Sequence, residues 1–113
     1  MKDDRLYLNH IIDCIAQIEA YTQNGQEAFM QNRLVQDAVI RNFEVMGEAA
    51  KRISPGLRTS HPEVPWQGIT DFRNVLIHNY FKVDIQRVWQ IVEVTLPTLK
   101  NQVETILQEL NRI

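Results

Sequence analysis

The chain has 113 residues, 44% of them hydrophobic and 23% charged, with a formal net charge of −2. That length gives one domain, 1–113, because two separate cores would each be too small; the composition is too apolar for disorder. The net charge argues against bulk electrostatic capture of nucleic acid, and a single cysteine, Cys14, excludes an intramolecular disulfide or a cysteine-rich metal site.

The N-terminal run Met1-Lys2-Asp3-Asp4-Arg5 is charged and leads into an amphipathic pattern, so it does not read as a signal peptide. No apolar run approaches the ~20 residues of a membrane helix. The expected compartment is therefore a reducing cytoplasm, with no membrane partner. Charge is spread unevenly: residues 1–30 balance at −3, residues 31–87 at +2 and residues 88–113 at −1.

Asp3 or Asp4 is placed to cap a first helix. Tyr7, Ile11, Cys14, Ile15 and Ile18 recur at spacings of three and four, with Leu8 and Ile12 beside them. Tyr21 to Gly25 ends this helix, with Gly25 expected as its C′ residue. Gln26 to Met30 allows a short helical turn.

A second helix is predicted from near Asn32 to about Ile53. Projected at ~100° per residue, it gathers Leu34, Val35, Ala38, Val39, Val45, Met46, Ala49, Ala50 and Ile53 in one apolar sector. Arg41, Glu44, Lys51 and Arg52 fall outside it, and Arg41 with Glu44 and Glu48 reads as surface pairing. Asn42 falls inside the sector. A buried amide without partners costs roughly 1–3 kcal/mol, so Asn42 either bonds nearby backbone or a structural water, or orients a functional side chain. Gly47 is unfavourable inside a helix by about 1 kcal/mol against alanine, which suits a close approach by another helix.

Ser54-Pro55-Gly56 stops the second helix, and Pro62 and Pro65 keep the connection irregular. His61, in this loop, is expected to be solvated. Pro65-Trp66 opens a third helix, with proline in the first turn and Trp66 as packing anchor. Ile69, Phe72, Val75 and Leu76 form its core sector. Asp84 is a natural N-cap for a last helix, whose stripe runs from Ile85, Val88, Trp89 and Val92 through Leu96, Leu99, Val103, Ile106, Leu107 and Leu110. Pro97 should kink it. With no period-two window, the expected fold is all-α: an antiparallel four-helix bundle with its last helix kinked near Pro97.

The chemistry concentrates in Arg73-Asn74-Val75-Leu76-Ile77-His78-Asn79-Tyr80, which joins a guanidinium, an imidazole and a phenol. Arg73 and Tyr80, seven residues apart, share a stripe at the margin of the core sector. His78 projects almost opposite the core, near Asn74 and about 140° round the helix from Arg73. For Arg73 and His78 to act on one phosphate, either the helix loosens near its end or a second chain completes the site. Tyr80 is either a packing residue or a modifiable hydroxyl. The chain has no glycine-rich phosphate loop, HExxH, CxxC or GxSxG. His10, His61 and His78 have no metal-ligand spacing with nearby carboxylates. Cys14 lies on an apolar face and reads as core.

The run from Arg73 to Tyr80 resembles the RxxxxHxY motif of HEPN-domain toxins of the HepT type. The likeness extends over nearly the whole chain: Asp4-Arg5-Leu6-Tyr7-Leu8-Asn9-His10-Ile11 at the start, Gln36 to Ser54 along the second helix, and Pro65-Trp66 before the motif. Beyond the motif it continues through Phe81-Lys82-Val83-Asp84-Ile85, Trp89 and Leu96-Pro97. The resemblance implies a helical fold that forms a homodimer, with two motifs lining a shared cleft. It implies a metal-independent endoribonuclease acting as the toxin of a toxin–antitoxin pair, without a cofactor. It also implies a partner, an MntA-type minimal nucleotidyltransferase, which silences the toxin by adding AMP to Tyr80. Arg73 and His78 map onto the catalytic pair, with Asn74 and Asn42 as supporting candidates.

The chemistry of the residues agrees. RNA carries its own nucleophile, the 2′-hydroxyl, so an imidazole can serve as base or acid while a guanidinium holds phosphate oxygens. DNA, lacking that hydroxyl, should not be cut. An AMP on Tyr80 would add bulk and negative charge beside the phosphate site. Two other readings remain: a non-catalytic nucleotide- or protein-binding helical module, and a regulatory subunit of an adjacent nucleotidyltransferase.

Overall fold

Each amphipathic period becomes a helix in the computed structural model of the chain, which describes residues 3–79 and 81–112. Helix α1 spans Asp4–Tyr21, α2 Gln26–Met30, α3 Arg33–Lys51, α4 Pro55–Ser60 and α5 Trp66–His78. The last long segment is α6 Ile85–Gln90, a π-helical turn Ile91–Thr95 and α7 Leu96–Leu110. No strand occurs among the described residues. None of their helices is long and apolar enough to cross a membrane.

Helix α1 runs antiparallel to both α3 and α7, as cross-contacts near their ends reveal. Asp4, at the start of α1, bonds Ser54 just beyond the end of α3. Glu19, near the end of α1, takes Lys100 from early α7, while Arg5 reaches Asn111 beyond its far end. Between α3 and α5, Phe43 meets Phe72 and Glu48 meets Arg73. One apolar cluster fills the centre, with Leu8, Ile11, Ile15 and Ile18 from α1, Val39, Met46 and Ala50 from α3, and Leu76 from α5. Val88, Leu96, Leu99, Val103 and Ile106 close it, as the predicted stripe requires.

Local signals explain most boundaries. The Asn32 side chain accepts from the Val35 N–H and starts α3. Asp84 does the same for α6 through the Arg87 N–H, as expected. Trp66 is buried, and its indole N–H donates to the His61 carbonyl at 3.0 Å. Pro97 sits in the first turn of α7, directly after the π turn. In that turn the Leu96 N–H bonds the Ile91 carbonyl, five residues back. The irregularity is thus an inserted wide turn, one of the known ways a helix accommodates a residue that cannot donate.

Several expectations need correction. Helix α1 ends earlier than Gly25 implies: its C-cap is Thr22, whose N–H and hydroxyl both bond the Ile18 carbonyl. Gly25 instead stands at the N-cap of α2 with φ +93°, a conformation that favours glycine. Leu34 is 82% exposed and Val75 54% exposed, because the apolar sectors drawn from the helical wheels are broader than the faces neighbouring helices cover. The connection after α3 contains the short helix α4, capped by the Ser54 hydroxyl on the Leu57 N–H. His61 is not a freely solvated loop residue: its side chain is 19% exposed and lies between Glu63 at 3.3 Å and Glu109 at 3.7 Å.

Candidate active site

Arg73 owes its position to a glycine. A Cβ placed on Gly47 of α3 would overlap the Arg73 Cβ and lie 3.1 Å from its Cγ and Cδ. The missing side chain lets α5 lie directly against α3 here, as expected for this glycine. The Thr70 hydroxyl, one turn earlier on α5, reaches the Gly47 and Trp66 carbonyls.

Two neighbours then aim the guanidinium. One terminal nitrogen donates to the Asn74 side-chain oxygen at 2.9 Å. The other pairs with Glu48 at 3.3 Å. The second Glu48 oxygen takes Arg52, at 3.1 Å from its Nη2 and 3.2 Å from its Nε. A guanidinium carries five N–H donors, so Arg73 retains capacity for an anion. Its side chain is only 26% exposed, so it meets solvent from a restricted direction.

His78 is the last residue of α5 and is exposed. The Asn79 N–H and side-chain amide both donate to the Val75 carbonyl, at 3.0 and 3.1 Å, closing the helix end. The helix therefore stays regular through His78, and the wide angle between Arg73 and His78 persists. Arg73 and Ile77 line an open groove of about 370 Å³ between α1, α3 and α5, whereas His78 is not among its lining residues. Tyr80, the expected site of modification, lies outside the described residues.

Of the supporting candidates, Asn74 is brought to Arg73. Asn42 is buried, and its amide donates to the Ala38 carbonyl at 2.9 Å, the backbone reading of the two. Glu48 is a site residue the sequence alone does not single out, because on the helical wheel it reads as a surface partner of Arg41. The available signal was its place directly after Gly47, the residue marked for close helix approach. Cys14 is buried in the core, and burial together with the nearby Asp13 charge pushes its thiol up to about 11. Among the described residues no three His, Cys, Asp or Glu side chains gather as a metal site would require.

The helical fold, with an arginine and a histidine five residues apart on α5, defines the class: a HEPN-type helical protein. The profile of the Ribonuclease HepT-like family matches residues 11–106, and the chain belongs to that family. It is 38% identical over 112 residues to a Methanocaldococcus jannaschii protein named "Gamma-glutamylcyclotransferase and putative RNase", covering 98% of this chain but 50% of that one. The chain thus spans about half the length of that relative. It is 39% identical over 101 residues to "Probable ribonuclease HepT" of Thermococcus cleftensis, covering 88% and 92%. It is 36% identical over 110 residues to a "Putative RNase" of Caldanaerobacter subterraneus, covering 96% and 98%. No solved structure matches significantly.

Proposed function

We propose that the protein is a metal-independent endoribonuclease, the toxin of a toxin–antitoxin pair, working as a homodimer in the cytoplasm. The observation that carries this reading is Arg73, oriented by Glu48 and Asn74 on the helix that ends in the exposed His78. Family membership and relatives named as ribonucleases support the substrate class.

In the proposed reaction His78 takes the proton from a 2′-hydroxyl as that oxygen attacks the adjacent phosphorus. The bond to the 5′-oxygen breaks, and that oxygen leaves with a proton delivered by a second acid. The products are a 2′,3′-cyclic phosphate and a free 5′-hydroxyl. Arg73 neutralises the crowded phosphate, a contribution often worth about 3–4 kcal/mol. Because Arg73 and His78 diverge around one regular helix, a second copy of the chain would bring its own pair across the cleft and supply the second acid.

In this reading, an MntA-type nucleotidyltransferase adds AMP to Tyr80 and silences the enzyme through added negative charge and bulk. The test is cleavage of single-stranded RNA in EDTA by the wild type and by His78→Ala. Cleavage that survives EDTA and disappears in His78→Ala is expected; full activity in that variant, or total loss in EDTA, defeats the mechanism. Tyr80→Phe should stay active and escape neutralisation by the nucleotidyltransferase. If Tyr80→Phe is inactive, the tyrosine belongs to catalysis and not to control.

A further inference from the structure

The groove beside Arg73 has its own chemistry. Tyr7 and His10 of α1 form one wall, with ring centres 5.9 Å apart and planes at 86°. Arg41 and Arg52 of α3 line it as well. Three guanidinium groups thus border one groove, against the carboxylates of Glu44 and Glu48.

Those carboxylates do not close the groove to anions. Arg41 meets Glu44 at 3.6 Å while its side chain remains 74% exposed. Such an exposed pair holds its partners weakly, and Arg41 can turn to a phosphate at little cost. Glu48 works differently, because its two oxygens hold Arg52 and Arg73 side by side. The arginine of the motif and an arginine of the groove are thereby spaced by a single carboxylate.

Building on the ribonuclease reading, we propose that this groove is an RNA subsite for the nucleotide next to the one cleaved. Arg41 and Arg52 take its phosphate, and the Tyr7–His10 wall receives its unpaired base. Aromatic faces bind unpaired bases without regard to sequence, and guanidinium forks suit phosphate oxygens. Such a subsite also reconciles RNA binding with a net charge of −2, since the positive charge is local and not global.

The test uses the catalytically silent His78→Ala protein and a fluorescein-labelled single-stranded oligoribonucleotide of about ten nucleotides. Adding Arg41→Gln should weaken binding about tenfold and lower the slope of log affinity against log salt by about 0.7, one phosphate contact on a single strand. Adding His10→Ala should weaken binding with no change in that slope. Circular dichroism checks that the variants keep the fold, which the exposure of Arg41 favours. Affinity and slope unchanged by Arg41→Gln would overturn the subsite while leaving the ribonuclease reading intact. RNA bound through Arg41 by a wild type that cuts nothing would keep the subsite and defeat the reaction. Absence of RNA binding would defeat both.

Discussion

Glu48 and Arg73 meet at 3.3 Å across the α3–α5 contact, one residue beyond the glycine that lets those helices touch. The pairing places the arginine of the motif under control of a residue on another helix. Replacing Glu48 by glutamine should cost little stability, within about 1 kcal/mol, since the pair is partly exposed and screened. It should lower kcat more, by about tenfold to a hundredfold, because a guanidinium misplaced by an ångström loses much of its effect. Denaturation curves and steady-state RNA cleavage measure the two separately. Equal kcat in Glu48→Gln would show that Arg73 needs no such orientation.

Gly47→Ala tests the close approach itself. In an open helix the change would stabilise by about 1 kcal/mol. Here the new methyl would overlap the Arg73 Cβ, which is fixed to the α5 backbone and cannot swing aside. Overpacking of this kind typically costs about 1–3 kcal/mol. The midpoint of urea denaturation should therefore fall, and activity should fall with it as α5 moves outward. A rise in stability would contradict the packing described.

The sequence made the helices legible because their apolar residues keep a helical period, and most of the last stripe from Val88 to Ile106 is buried. Asn32 and Asp84 announce their caps, since a side-chain oxygen at that position has one obvious donor to satisfy. What the pattern does not encode is which part of an apolar sector another helix covers, hence the exposure of Leu34 and Val75. The site was half legible. The motif names Arg73 and His78, but the link to Glu48 joins residues 25 positions apart and depends on how α3 and α5 dock. A helical wheel treats each helix alone and cannot show it.

The first helix is tied to the end of the third by one carboxylate. The Ser54 N–H donates to one Asp4 oxygen at 2.9 Å, and the Ser54 hydroxyl donates to the other at 2.6 Å. Hydrogen bonds to a charged group contribute about 1.5–3 kcal/mol each when partly sheltered. Asp4→Ala should destabilise the fold by about 2–3 kcal/mol, most of it from this contact 50 residues away in sequence. Asp4→Asn keeps one acceptor oxygen and should fall between the two. Thermal melts of the three proteins provide the comparison, and an Asp4→Ala melt matching wild type would show the contact carries no net stability.

Cys14 gives a prediction for alkaline pH. Burial, aided by Asp13 and partly offset by Arg41, raises its thiol from 9.0 to about 11 in the folded chain. Between those values the unfolded chain has lost the thiol proton while the folded chain keeps it. The folded state then binds more protons, so stability falls as pH rises. The contribution is fully present below about pH 9 and lost on approaching about pH 11. At about 1.4 kcal/mol per pH unit, the loss across that window is roughly 2–3 kcal/mol. Cys14→Ala should remove this part of the decline, seen as a shallower fall in urea midpoint above pH 9 than in wild type. The same burial should keep the thiol unreactive toward an alkylating reagent at pH 8 until the chain unfolds. Rapid labelling of the folded protein would mean that the α1–α3 contact opens far more readily than its packing implies.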